Sequence, residues 1–388
     1  MMKKKVLIFA DYFLPGFKAG GPIRSIQNLI KSTSELGDYY LITRDRDIRD
    51  SVPYPNLALN EWLDKQGYKV CYLHRNFTGF MKMLSSIRNS NTIYLNSFFS
   101  PYFAILPMFF GLFYKKKIII APRGEFSSGA LAIKSRKKKA FLYFFKSLKI
   151  HRKVMWHATT IQEEKEIVRL LDFNAKTFIA PNLSKQGLDY SQLKKINHSK
   201  VLIKKKLLLL FIGRIAEIKN IDYAINILTH VHFPVQLSLY GPLEDLKYFE
   251  KCKTLVKKLP PNVSVKFQGE VSYHQTHELF QKHHFLFFPT KGENYSHVIA
   301  EALQNGCPVI LSDQHPWENL EKWQAGWSIP LDSPKKFLEI LNSLSRLNQE
   351  DYERHSESAL SYWKRKYTED INMSESLYLK LFNEYDQE

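Results

Sequence analysis

At 388 residues the chain exceeds what one ordinary hydrophobic core organises, and its length fits two domains of roughly 150 to 200 residues each. With 44% apolar and 24% charged residues it has a globular make-up, which excludes disordered and fibrous classes. A formal charge of +18 calls for an anionic partner, whether nucleic acid, anionic lipid or an acidic small molecule. Only three cysteines occur, Cys71, Cys252 and Cys307, without a CxxC pair; this argues against a disulfide framework or a zinc site and fits a reducing cytoplasm.

The chain opens on a lysine run followed by the apolar segment Val6-Leu7-Ile8-Phe9-Ala10, too short for a signal-peptide core and without a small-residue cleavage site. It reads as a first buried strand. Short apolar runs then alternate with amphipathic stretches, the pattern of βαβ units around parallel sheets. Strands are expected at 5–10, 39–43, 69–73, 92–96, 117–121, 156–159 and 177–180. Residues 98–114 are apolar but hold Pro101 and Pro107 and fall short of the roughly 20 residues that cross a bilayer, so a buried helix is expected there. The polar stretch 184–200 has no apolar period. A second series follows, with strands expected at 207–212, 235–240, 263–267, 285–289 and 308–311. Residues 350–385 read as a helical tail docked on a domain surface, with Tyr362, Trp363, Tyr367, Leu377, Tyr378, Leu381 and Phe382 packing. The expected division is 1–185, a linker at 186–200, a second domain at 201–350 and the tail at 351–388. No internal repeat points to a solenoid or propeller.

Chemistry-bearing residues gather at strand ends. Glu293 follows the strand ending at Pro289, and Glu301 lies eight residues on, inside a helix that starts near Ser296 and stops before Gly306. Two such carboxylates can grip different diols of one extended ligand, and the helix start can hold an anion or a hydroxyl. A capping glutamate and a surface glutamate are the plainer alternative. Gly213-Arg214 closes another strand, with Lys219 five residues later; a guanidinium and an ammonium there suit a departing diphosphate, or else form a solvated surface pair. Gly20-Gly21 follows the first strand and lets the backbone approach a ligand; the segment is not GxGxxG, which disfavours a nicotinamide or flavin dinucleotide.

Residues 134–153 form the densest basic block: Lys134, Arg136, Lys137, Lys138, Lys139, Lys146, Lys149, Arg152 and Lys153 interleave with Phe141, Leu142, Tyr143, Phe144, Phe145 and Leu148. An amphipathic helix of this kind suits an anionic membrane surface, the alternative being a solvated helix with its aromatics in the core. No RNA or DNA module accompanies the charge, so no nucleic acid is expected. His283 and His284 are adjacent on an extended chain, point to opposite faces and do not chelate together, so no metal is expected.

Glu293, Glu301 and the run Ala302-Leu303 through Gly306, Pro308, Val309 and Ile310 resemble the signature of the retaining GT-B glycosyltransferases, in particular family 4 (group 1), in which Gly-Arg-x4-Lys also recurs before the first helix of the second domain. The resemblance implies an α/β fold of two Rossmann-like domains facing each other across a cleft, with a C-terminal helical tail. It implies transfer of a sugar from a nucleotide diphosphate donor to a glycan or lipid-linked acceptor, with retention and with attack and departure on one face, in bacterial surface polysaccharide synthesis. No cofactor or metal is implied, and the location is the cytoplasm or the inner face of its membrane.

By that resemblance Glu293 holds donor-sugar hydroxyls, the backbone of Asn294, Tyr295 and Ser296 holds others, Glu301 takes the ribose diol, Arg214 and Lys219 clamp the diphosphate, and Gly20, Gly21 and Gly213 complete the donor-binding set. The loop of Gly20 and Gly21 faces the cleft. Two departures stand out: Asn294-Tyr295-Ser296 replaces a frequent Gly-Phe-Gly, and Arg123 stands where many relatives have His, as a candidate for charge stabilisation. A sugar-nucleotide epimerase of related architecture and a non-catalytic membrane-surface protein are the rival readings.

Overall fold

The computed structural model describes residues 3–127, 131, 135–172, 175–182 and 206–379. The expected linker at 186–200 lies outside the described residues, as do Lys134, Leu381 and Phe382. The chain divides into two compact units, Met1–Leu183 with Glu369–Glu388, and Ser184–Thr368.

The first unit runs β1 (Lys4–Phe9), α1 (Gly21–Ser32), β2 (Gly37–Arg44), β3 (Leu63–Lys65), β4 (Tyr68–Leu73), α2 (Phe77–Arg88), β5 (Thr92–Leu95), α3 (Leu106–Phe113), β6 (Lys117–Ile120), α4 (Ser135–Ser147), β7 (Met155–Ala158), α5 (Ile161–Leu170) and β8 (Lys176–Ile179). Its sheet has the order β3-β4-β2-β1-β5-β6-β7-β8, with only β3 antiparallel to its neighbour. Such strands are buried on both faces, which is why they read as unbroken apolar runs. Along β1, Leu7 and Phe9 enter one core and Val6 and Ile8 the other. Side-chain caps set two helix starts: Asn76 accepts from Gly79 N and Thr160 from Glu163 N. The apolar stretch 98–114 forms a π-helical turn, Pro101–Ile105, running into α3. Among the described residues no helix is long and apolar enough to cross a membrane.

The second unit runs β9 (Leu207–Ile212), α6 (Ile221–Leu228), β10 (Val235–Tyr240), α7 (Leu246–Val256), β11 (Val263–Phe267), α8 (Tyr273–Lys282), β12 (Phe285–Phe288), α9 (His297–Gln304), β13 (Val309–Ser312), β14 (Gly326–Ile329) and α10 (Pro334–Leu344). Its sheet order is β11-β10-β9-β12-β13-β14, parallel throughout. The mixed α/β architecture with two parallel sheets is the one expected from the sequence.

The helical tail is present as α11 (Gln349–Leu379). Its aromatics are not a surface dressing: Trp363, 1% exposed, belongs to the core of the second unit, and Tyr378, 2% exposed, to a core of the first. In each sheet the strand that opens the unit sits where the order reverses, β1 between β2 and β5, and β9 between β10 and β12. Ligands of open parallel sheets bind beyond the carboxyl ends at such a reversal.

Candidate active site

In the second unit the reversal brings the ends of β9 and β12 side by side, and most of the residues singled out in that half lie there. β9 ends into Gly213-Arg214. Gly213 N–H donates to the Tyr240 carbonyl at 2.8 Å, and Gly241, at φ 145°, lies so close that a Cβ on it would sit 2.0 Å from the Gly213 carbonyl oxygen. Only glycine fits there. Arg214 Nη1 donates to Glu244, which arrives from the loop after β10, and both side chains remain more than 30% exposed.

The 3-10 turn Glu217–Lys219 follows. Asn220, in a left-handed conformation, donates from Nδ2 to the Pro289 carbonyl at 3.0 Å, and Lys291 N–H donates to the Ile218 carbonyl at 2.9 Å. These bonds tie the turn to the loop after β12, so that Lys219 Nζ meets Glu293 Oε1 at 2.5 Å with side chains only 14% and 9% exposed. Lys219 also sits over the Phe288 ring, 5.2 Å from its centroid. The second Glu293 oxygen makes no hydrogen bond among the described residues.

Three residues on, Ser296 takes a left-handed conformation and opens α9; its Oγ is buried and makes no hydrogen bond among the described residues. A helix start leaves backbone N–H groups without helical partners and carries a partial positive charge. Glu301 lies inside α9 at 8% exposure, so it is not a solvated surface glutamate. The loop after β13 braces this region: Glu293 N–H donates to the Gln314 carbonyl at 2.8 Å, and Trp317 Nε1 donates to the Tyr295 carbonyl at 2.7 Å. Tyr295 turns its ring into the core, 5.4 Å from that of Trp317. Burial lowers His315, whose Nδ1 accepts from Trp317 N–H, to a pKa of about 4, so the ring is neutral at pH 7.

Gly20, Gly21 and Arg123 belong to the first unit. Gly20, at φ 66°, caps α1 after β1. Arg123, itself left-handed, donates from Nε to Asn96 at 2.8 Å, from Nη1 to Asn182 at 2.5 Å and from Nη2 to Tyr94 Oη at 2.8 Å. Tyr94 Oη lies 2.6 Å from His157 Nδ1, and His157 Nε2 lies 2.8 Å from the Ala180 carbonyl. Burial, then the nearby Arg123 charge, depresses His157 to a pKa of about 3. The neutral ring therefore donates from Nε2 to the carbonyl and accepts the tyrosine proton at Nδ1.

The rest of the loop after β6 is clamped as firmly. Glu125 accepts from Ser97 Oγ and from the Phe98 and Phe99 N–H groups, while Glu163 accepts from Gly124 N–H and twice from Thr159. The Arg123 guanidinium thus serves three groups of its own unit. His283 and His284, likewise, bond to the backbone, one to the Leu279 carbonyl and the other to Leu208 N–H.

Sequence reasoning missed Glu244, Asn220, Gln314, Trp317 and the His157 network. A signal existed for Glu244, since it follows the strand end Tyr240-Gly241-Pro242, but its meeting with Arg214 depends on β10 lying beside β9.

Residues 194–361 match the family described as Glycosyl transferases group 1. No curated protein sequence matches the chain. Among solved structures, sucrose-phosphate synthase from Thermosynechococcus elongatus superposes with a TM-score of 0.72 at 15% identity, covering 98% of this chain and 99% of that one. The Anabaena protein HepE in complex with UDP-glucose gives 0.68 at 12% identity, covering 97% and 99%. WaaG, a glycosyltransferase involved in lipopolysaccharide biosynthesis, gives 0.62 at 13%, covering 98% and 99%. The chain therefore has the GT-B fold of two parallel-sheet units, and its second unit is where the match to the glycosyl transferases group 1 family lies.

Proposed function

We propose that the protein is a retaining glycosyltransferase of the family 4 type, moving a sugar from a nucleotide diphosphate donor to a glycan or lipid-linked acceptor. The observation that carries this reading is the Lys219–Glu293 pair, held beside Arg214 and the start of α9 at the reversal of the second sheet. Arg214 and Lys219 would neutralise the diphosphate as it gathers charge, in place of a divalent cation. Glu293, with one oxygen fixed by Lys219, would offer the other to donor hydroxyls, and Glu301 would take the ribose diol. The matched domain and the UDP-glucose bound by HepE support a nucleotide-sugar donor. With no better nucleophile in the site, the acceptor would attack on the face from which the diphosphate leaves, the leaving phosphate taking its proton. A place in bacterial surface polysaccharide synthesis, at the inner face of the cytoplasmic membrane, fits the lipopolysaccharide role of WaaG.

The test is product analysis with a panel of nucleotide diphosphate sugars, with and without acceptor and with and without EDTA. Acceptor-dependent release of nucleoside diphosphate that survives the chelator supports the reading. Conversion of the sugar without acceptor supports an epimerase, and folded Arg214→Ala, Lys219→Ala and Glu293→Ala variants with wild-type rates would sink the site.

The same reading gives α4 a partner. Leu142 and Phe145 fill the core, while Tyr143, Phe144 and Leu148 stand 78%, 51% and 47% exposed among the exposed cations Arg136, Lys137, Lys139 and Lys149. Exposed aromatics bordered by cations suit an anionic bilayer, each basic residue contributing about 1 kcal/mol near the surface. Co-sedimentation with phosphatidylglycerol vesicles but not with phosphatidylcholine vesicles, lost in a Tyr143→Ser/Phe144→Ser variant, is the expected result. Equal sedimentation of that variant would leave α4 as an ordinary helix.

A further inference from the structure

We propose that the first unit carries a second, non-catalytic binding site, for a small phosphorylated sugar. A cavity of about 200 Å³ opens between α2 and the amino halves of β1 and β2. This is the end of the sheet opposite the carboxyl edge at which parallel sheets hold their principal ligands, so the cavity is separate from the carboxyl edge of its own unit. Its walls include Lys5, Tyr40, Trp62 and Lys82, with Ser86 from the last turn of α2 and Asn89 just past its end.

Charge and shape together define the occupant. Neither Lys5 nor Lys82 takes part in an ion pair among the described residues; each instead rests against a ring, Lys5 Nζ 6.0 Å from the Tyr40 centroid and Lys82 Nζ 5.4 Å from the Trp62 centroid. The two rings meet edge to face at 5.2 Å, forming one aromatic wall. Among the described residues no carboxylate lines the cavity. Two ammoniums without a carboxylate partner are an open invitation to a doubly charged phosphate, which would draw both away from the rings. Aromatic faces suit the C–H face of a sugar ring, and the serine and asparagine side chains offer partners for its hydroxyls. The volume is below the roughly 300–1,000 Å³ of drug-sized pockets and fits a monosaccharide phosphate.

The experiment is titration calorimetry of the full chain with glucose 6-phosphate, glucose and inorganic phosphate, repeated on Lys82→Gln, on Lys5→Gln/Lys82→Gln and on Trp62→Phe. Wild type should bind glucose 6-phosphate at least about tenfold more tightly than either half-ligand, and the double lysine variant should lose at least about tenfold in affinity. Lys5 and Lys82 are surface side chains, so a double variant with an unchanged circular dichroism spectrum isolates the site from the fold. Unaltered affinity in that variant, or no binding by wild type up to about 10 mM, overturns the proposal. Inorganic phosphate binding as tightly as the sugar phosphate overturns the sugar assignment. A Lys219→Ala variant should bind glucose 6-phosphate like wild type, which separates failure here from failure of the transferase reading.

Discussion

In the second unit, Arg214 at the end of a strand and Lys219 in the turn that follows meet glutamates from neighbouring elements; in the first, Arg123, Glu125 and Glu163 turn inward, and each serves three groups nearby. The difference lies in what the partners can give up. An exposed pair such as Arg214–Glu244 is worth only about 0–1 kcal/mol, so in the proposed reading an arriving phosphate would take the guanidinium at little cost. Arg123 has no such freedom, because removing it strands the acceptors Tyr94, Asn96 and Asn182.

The strongest blow to that contrast would come from the Lys219–Glu293 pair. Replacing either residue by alanine should lower the transfer rate by roughly 10²–10³-fold, about 3–4 kcal/mol in the barrier, as for loss of a preorganised electrostatic group. Steady-state release of nucleoside diphosphate by the folded variants measures it. Arg123→Met should act in the opposite register, costing about 2–3 kcal/mol of stability in urea unfolding while the folded fraction keeps most of its turnover. A stable Arg123→Met protein without turnover would move that residue into the chemistry.

Acid should probe a buried histidine in each unit, His315 in the second and, more strongly, His157 in the first. His157 titrates near pH 3 when folded and near 6.5 when unfolded, so between these values the unfolded chain binds the extra proton. Stability is unaffected above about pH 6.5 and falls as pH drops towards 3, by up to about 1.4 kcal/mol per unit from this group. His157→Gln should flatten that part of the melting temperature profile between pH 7 and pH 4. The smallest effect belongs to Glu244→Gln, which should change stability by less than about 1 kcal/mol and tighten donor binding slightly by releasing Arg214. Calorimetry with the donor decides it; a large loss of affinity would make Glu244 part of the grip.

Much of the fold was legible because buried parallel strands announce themselves as apolar runs: 207–212, 235–240 and 263–267 coincide with β9, β10 and β11. The strands that escaped lack that signal. β3 is Leu63-Asp64-Lys65, a short polar edge strand, and β14 begins at Gly326, whose missing side chain lets the Val309 backbone approach, so that a Cβ there would sit 2.2 Å from its carbonyl oxygen. In the site, Arg214, Lys219 and Glu293 drew attention because they follow strand ends and Glu301 by its spacing from Glu293, and the roles expected of them came from the family resemblance. What spacing could not give was pairing between strand ends. Arg123 meets residues 27, 29 and 59 positions away, and only the order of the sheet brings those together.

The contact between Gly213 and Gly241 leaves no room for even a methyl group between the ends of two neighbouring strands. Their spacing is set by main chain against main chain, and the point from which Arg214 extends does not drift when side chains nearby are exchanged. In the proposed reading, the anchor for the phosphates would then keep a constant distance from the sheet, whatever the loop that opens α9 grips.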